Sequence, residues 1–355
     1  MTGRLALAAL LLASLAGGCG IGGSAAIDAP VAVYVSLPLT GPRGVDGRDA
    51  ADGARLALER AGGRAGSISV RATYLDDARG RWWDPAAVGA NARAAVQDSS
   101  AAAYIGELDS EPTRGSVPIT NDAGLLQVSP GAGAVDLTTP AAGYPDSPDR
   151  YQPSGSRNFA RTVPSDQLVA EAAAEWASEL RATRAAVSSD GSAFGELAAA
   201  EFRSTAAEHG IQVSPAAPAG QGGVAAVYDP AAEILTVGGP SPGRYAVSAE
   251  VAASRLPGRD FAGQFQQRFH RPPGPYAAYG YEAMELVLQT IGRAGTDASS
   301  FRDRVRNGIF GARRDGSVLG SYSITSNGDT TECMIQRYRI VGTTRVALAA
   351  PCPAR

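Results

Sequence analysis

Four times between residues 31 and 129 a short apolar run gives way to a stretch with helical spacing, and few folds tolerate that order. Val31 to Ser36, Ile68 to Tyr74, Ala103 to Gly106 and Leu125 to Ser129 read as buried strands. Between them, apolar positions recur at helical spacing from Asp49 to Arg60, where Gly62-Gly63 stops the run. Asp84-Pro85 opens a second helix, with Asp as cap and Pro at the first helical position, running to about Gln97. A third covers about Thr113 to Ala123. Strand and helix alternating in this way predict a doubly wound parallel sheet.

Residues 139–156, rich in Pro, Gly, Ser and Asp, break the rhythm and read as a surface loop. A second α/β series then begins. Asn158 to Thr162 and Ala185 to Ser188 are strands, and Gln167 to Leu180 and Phe194 to His209 are helices. The pattern weakens from Ile211 to Ala246, where Ala225 to Tyr228 and Glu233 to Val237 suit a hairpin around Asp229-Pro230. Three helical stretches follow (261–269, 277–294, 299–307), then closing strands at Tyr322 to Ile324, Met334 to Ile340 and Arg345 to Ala349. A chain of 355 residues is too long for one small core and suits two lobes.

The N-terminus carries an export signal. Arg4 is a minimal positive region, and Leu5 to Leu15 is Leu and Ala apart from Ser14. That run is too short to span a bilayer, which needs roughly 20 apolar residues. Leu15-Ala16-Gly17-Gly18-Cys19 resembles a bacterial lipobox, with Cys19 as the lipid attachment point and Gly20 to Ser24 as a flexible tether. The alternative reading of the same segment is a plain secretory signal with a chance cysteine. Setting Cys19 aside leaves Cys333 and Cys352, a pair that in an exported protein suggests a disulfide. Two unpaired thiols at the ends of neighbouring strands are the alternative.

The net charge of -3 implies no basic face for nucleic acid. The chain has no lysine, and its excess of Ala, Gly, Arg and Pro fits GC-rich coding rather than a function. Its two histidines, His209 and His270, have no metal-ligand spacing, and neither lies near a cysteine in sequence. No Gly-x-Ser-x-Gly elbow precedes a helix, there is no Walker sequence, and Gly238-Gly239 lacks a dinucleotide-binding context. An enzyme is not expected. Asp76-Asp77 reads as a solvated turn, and Trp82-Trp83 as either the packed edge of a helix or a stacking surface.

Four stretches, in order, carry a family resemblance. They are Leu39-Thr40-Gly41-Pro42 with the helix to Arg60; Tyr104 to Ser110 with Ala123 to Thr138; Ser189-Asp190-Gly191-Ser192-Ala193-Phe194-Gly195; and Gly274-Pro275-Tyr276 with Asn327-Gly328-Asp329-Thr330. With them the chain resembles the branched-chain amino acid (Leu/Ile/Val) binding proteins of ABC transporters, which have the type I periplasmic-binding fold. The resemblance implies two α/β lobes, each a doubly wound, mostly parallel sheet, with the second apparently shortened by about one helix–strand unit. The expected division is 1–19 leader and lipobox, 20–30 tether, 31–162 with 278–318 as lobe 1, and 163–277 with 319–350 as lobe 2.

It also implies a ligand gripped between the lobes by hinge closure, with no cofactor. Strand ends and helix N-termini suit a ligand carboxylate. Asp109, Ser110, Ser129 and Gly131 stand at such ends, where turn and cap chemistry is the competing reading. Phe194 and Tyr276 are expected to line the cleft, or else to pack in the core. Asp46 holds a ligand ammonium or caps the following helix. Two departures stand out. Gly133 occupies the place of the family's ammonium-binding Thr. The matching place for its second-lobe Glu falls at Gly243 or its neighbours. Leucine itself is therefore not assigned. The expected function is an extracytoplasmic, lipid-anchored, monomeric binding protein that delivers a small polar solute, such as an amino acid, to an ABC permease. The alternative is a lipid-anchored sensory or structural protein of the same fold that docks another protein.

Overall fold

The computed structural model describes residues 26–214, 223–240, 242–258 and 260–353. The leader, Cys19 and most of the tether lie outside the described residues. The first series comprises β1 (Val31–Leu37), α1 (Gly44–Arg60), β2 (Arg64–Ala65), β3 (Ile68–Asp76), α2 (Pro85–Gln97), β4 (Ala101–Ile105), α3 (Ser110–Asp122), β5 (Leu126–Ser129) and β6 (Phe159–Arg161). Its sheet runs β2-β3-β1-β4-β5-β6, parallel throughout except for the short β2–β3 turn. Helices cover both faces, so β1 and β4 are almost wholly apolar and β4 is buried at every residue, whereas β3 is only half-buried beyond Val70. Asp84 caps α2 as expected, accepting the Ala87 amide at 2.9 Å with Pro85 at the first turn.

The second series holds α4 (Asp166–Glu179), β7 (Ala182–Val187), α5 (Ala193–Glu208), β8 (Gln212–Ser214), β9 (Val224–Asp229), β10 (Ile234–Val237) and β11 (Gly243–Ser248). Then come α6 (Asp260–Phe269), α7 (Ala277–Ala294), α8 (Phe301–Asn307), β12 (Arg313–Ser317), β13 (Gly320–Ser323), β14 (Gln336–Val341) and β15 (Thr344–Ala347). The second sheet runs β15-β14-β11-β10-β9-β7-β8. The fold is thus the expected two-lobed α/β arrangement, but the second sheet is not mostly parallel. Only β7 pairs in parallel, with β8 and β9, while the other four pairings are antiparallel. The reason lies at Asp229-Pro230. The hairpin expected there joins β9 to β10, pairing Asp229 with Ile234, and a hairpin cannot make the long crossover that parallel strands require. The second sheet has one strand more than the first, so no shortening is evident from it.

The chain passes between the sheets three times, at 162–166, 249–260 and 324–336. Late helices complete the first lobe. α7 lies along α1, where Gly53 and Gly280 let the backbones meet: a Cβ on either would come within about 2 Å of a carbonyl on the other helix. α6 joins them, with Phe261 edge-on to Tyr281 at 5.5 Å and Arg268 paired to Glu59 at 2.7 Å.

Arg161, 1% exposed at the end of β6, ties the crossings together. Its guanidinium donates to Asp329 at 2.6 Å, to the carbonyls of Ala132 and Ala134, and to the Thr138 hydroxyl. Gly328, at φ +98°, lets the third crossing lie against β6, where a side chain would strike the Phe159 carbonyl. Cys333 and Cys352 form a disulfide, with Cα atoms 4.9 Å apart, joining the segments that flank the β14–β15 hairpin.

Two stability outcomes follow. Arg161→Met leaves Asp329 and three acceptors without their donor, so equilibrium urea unfolding should show a loss on the order of 3 to 5 kcal/mol. The Cys333→Ser/Cys352→Ser double variant should lose about 3 kcal/mol, read as a lower urea midpoint, because a loop of this length is released in the unfolded chain.

Candidate functional site

The carboxyl ends of β1, β4 and β5 in one lobe and of β7 and β9 in the other face a common cleft of about 660 Å³. Strand ends are where open α/β sheets present loops and helix N-termini to a ligand. Of the seven residues named from the sequence, Asp46, Asp109, Ser110, Gly131, Phe194 and Tyr276 lie on this cleft. Ser129 does not. It is fully buried behind the wall, donating to the Glu107 carbonyl at 2.6 Å and accepting from the amides of Gly131 and Ala132. Its hydroxyl shapes the 129–132 turn. Gly131 leaves no room for a side chain, since a Cβ there would lie 2.5 Å from the Leu108 carbonyl.

The first lobe's wall is organised by a residue the sequence reading passed over. Arg43, just before α1, donates to Asp46 at 2.7 Å, to Asp109 at 2.9 Å and to the Tyr276 hydroxyl at 3.0 Å. Its guanidinium also lies 5.1 Å from the centre of the Tyr276 ring. Asp46 therefore neither caps α1 nor stands free, and Asp109 precedes α3 without capping it. Ser110 accepts the Ala134 amide at 3.1 Å. Asp76, read as part of a solvated turn, fixes the opening loop by accepting from the Leu39 amide, the Thr40 hydroxyl and the amides of Ala78 and Arg79. Its neighbour Asp77 is buried, and that burial pushes its carboxyl up to about 6.

The opposite wall carries acids the sequence reading did not find. Glu233 sits at the tip of the β9–β10 hairpin with a left-handed φ of +54°. Glu250 follows β11 and accepts the Ser248 hydroxyl. Asp166, at the start of α4, stands in the space a side chain at Gly133 would take, with its Oδ1 2.1 Å from where that Cβ would be. Tyr338 and Arg345 close this side from β14 and β15, and Trp82, 63% exposed, stands on the rim. No motif links these residues. The one available signal was the Asp229-Pro230 turn, which aims its tip the way the carboxyl end of β9 points.

Burial, reinforced by Glu250 and Asp166, pushes Glu233 up to about 8. Burial likewise raises Asp166 to about 6, against the pull of Arg161. Among the described residues no cluster of three or more His, Cys, Asp or Glu could hold a metal ion, and no helix is long and apolar enough to cross a membrane.

The sequence profile described as "Periplasmic binding protein" matches residues 30–233, more than half of the chain. The chain belongs to the periplasmic binding protein family. This is a family of solute-binding proteins rather than enzymes. Among solved structures, this periplasmic binding protein is similar to an ABC transporter substrate-binding protein from Desulfitobacterium hafniense in complex with Leu. They share 18% identity over 90% of this chain and 100% of that one, with a TM-score of 0.65. A leucine binding protein from Thermotoga maritima shares 18% identity over 91% of this chain and 99% of that one, at 0.66. A solute binding protein of an ABC transporter from Rhodopseudomonas palustris, in complex with 3,4-dihydroxy benzoic acid, shares 16% identity over 92% and 98%, at 0.65. At these identities the likeness establishes the fold. No curated protein matches the chain.

The raised acids set a pH dependence. A carboxyl whose pKa is higher in the folded chain binds more protons there than when unfolded, so stability falls as pH rises from its unfolded to its folded value. For Glu233 that window runs from 4.5 to about 8, and for Asp166 from 3.8 to about 6. Glu332, buried on the third crossing and raised to about 8, adds to the same slope. Without added solute the melting temperature should therefore be higher near pH 5 than near pH 8, and Glu233→Gln should flatten the decline. A melting temperature that rises across this range would contradict the assignment.

Proposed function

We propose that this protein is the extracytoplasmic solute-binding component of an ABC transporter, anchored by lipid on Cys19, which grips a small polar solute between its lobes and delivers it to a membrane permease. The cleft carries this reading. It collects charged and aromatic side chains from both lobes at the three crossings, and only a molecule in the gap can touch both walls. Ligand that bridges the lobes stabilises the closed arrangement by its differential contacts, which is the physical content of hinge closure. The solute class is an amino acid or a related compound. That choice is supported by similar folds holding leucine in one case and 3,4-dihydroxy benzoic acid in another. The protein works as a monomer.

The lobe limits expected from the sequence form part of this proposal, with α6 assigned to the first lobe because of its packing on α1 and α7. The two departures from the family pattern take on a different aspect beside the geometry. Gly133 makes room for Asp166, and Glu250 with Glu233 supplies acids from the second lobe. The protein-docking alternative drew on a shortened second lobe and missing ammonium partners; a seven-stranded second sheet and the acids on its wall favour the solute reading instead.

Ligand binding should appear as a raised melting temperature in a screen of small solutes and, for the same solute, a smaller radius of gyration in solution scattering. Phe194→Ala should weaken that solute at least tenfold, through lost wall contact, with little change in the melting temperature of the unliganded protein. A solute that raises the melting temperature without compacting the molecule would argue against closure.

A further inference from the structure

The charges on the two walls do not balance. Among the described lining residues, Asp46 and Asp109 on one side and Asp166, Glu233 and Glu250 on the other outnumber two arginines, Arg43 and Arg345, while Arg161 and Arg114 act on Asp166 from behind the wall. Arg43 is already committed to both carboxylates of its own wall and to Tyr276, so it has no guanidinium edge left over for a ligand's carboxylate. On the second wall the Ser248 hydroxyl is turned onto Glu250.

Two local arrangements show this acidity to be built in. Asp166 occupies space that opens only because residue 133 is glycine. Glu233 is carried on a left-handed backbone, which is unfavourable for a glutamate and persists where the surroundings hold it. Four aromatic side chains also line the cleft. Trp82, Phe194, Tyr276 and Tyr338 border the same space, and ring faces attract cations.

We infer that the solute held in this cleft is an organic cation, an amine, quaternary ammonium or guanidinium compound with a net positive charge, clasped by the second-lobe carboxylates and the aromatic faces. The inference rests on the reading of the cleft as the solute site and specifies the charge of its occupant. A carboxylate-only ligand such as benzoate meets excess negative charge, with Arg345 the one lining guanidinium not bonded to a wall carboxylate. A zwitterion such as leucine satisfies one acid and leaves its own carboxylate Arg345 and the helix N-termini at the cleft. A cation relieves the mutual repulsion of Asp166, Glu233 and Glu250 and displaces the proton that Glu233 keeps near neutral pH. Besides Asp166 and Glu250, the titratable groups around Glu233 are Arg345, Tyr338, Tyr228 and Tyr276.

The test is titration calorimetry on the purified protein at low salt, with L-arginine, L-lysine, putrescine and choline against L-leucine, L-isoleucine and benzoate. At least one cation should bind more tightly than every member of the second group, with affinity rising several-fold from pH 6 to 8. Glu233→Gln and Asp166→Asn should each weaken that cation at least tenfold, while Asp315→Asn, exposed on the β12–β13 hairpin, should not. Melting curves check that the variants fold, and Glu233→Gln is expected to be at least as stable as the parent near pH 8. Binding of leucine, isoleucine or benzoate with no response to any cation would overturn the inference and leave the binding-protein reading standing. Cation binding unaffected by both variants would also overturn it. Silence from the whole panel would count against both.

Discussion

The geometry of the cleft depends on one buried guanidinium. Arg161 lies at the end of the last strand of the first sheet, where the chain is about to leave for the second lobe. Its donors reach the turn that forms the cleft floor, through Ala132, Ala134 and Thr138, and the returning crossing, through Asp329. A guanidinium suits this position because its donors spread in a fixed fork and it stays charged. Burying a charge is costly unless every donor finds a partner, so the arrangement is close to all-or-none. The wall that carries Gly131 and the segments on which the lobes move are therefore registered against each other by Arg161, with Arg157 adding bonds to the Thr138 and Asn327 carbonyls.

Much of this was legible beforehand, and the limits have physical causes. Helix starts announced themselves where chemistry is local, as at Asp84-Pro85, where cap and first turn lie within a few residues. The β9–β10 hairpin was legible from Asp229-Pro230 for the same reason. The parallel strands of the first lobe stood out because both faces are buried and their runs are unbroken. β11, by contrast, reads Gly-Arg-Tyr-Ala-Val-Ser, and only its second half is buried, so no run marks it. The antiparallel half of the second sheet was missed with it, because strand direction follows from which strands become neighbours, and that is decided far along the chain by β14 and β15.

The site divided along the same line. Residues beside a recognisable turn, such as Ser110, Gly131 and Phe194, were placed on the cleft, although Ser129 shows that a strand-end hydroxyl can face inward and serve the turn instead. Arg43 escaped notice because its role is to join Asp46, Asp109 and Tyr276, which are far apart in sequence. Glu233, Glu250 and Asp166 are individually unremarkable acids, and their meaning lies in their convergence. At Gly133 the sequence reading saw only the lack of a hydroxyl. What fills the space there comes from the next helix and could not be read from that position alone.

The contact of α1 with α7, glycine against glycine, bears on how such a chain is made. The first helix cannot bury its inner face until residues beyond 277 have been synthesised, so no N-terminal fragment owns a finished hydrophobic core. Pairing segments more than 200 residues apart is slow, and it leaves the growing polypeptide extended for longer than a contiguous domain would be. If the chain is exported as proposed, that delay keeps it threadable until α7, from residue 277 on, has left the ribosome.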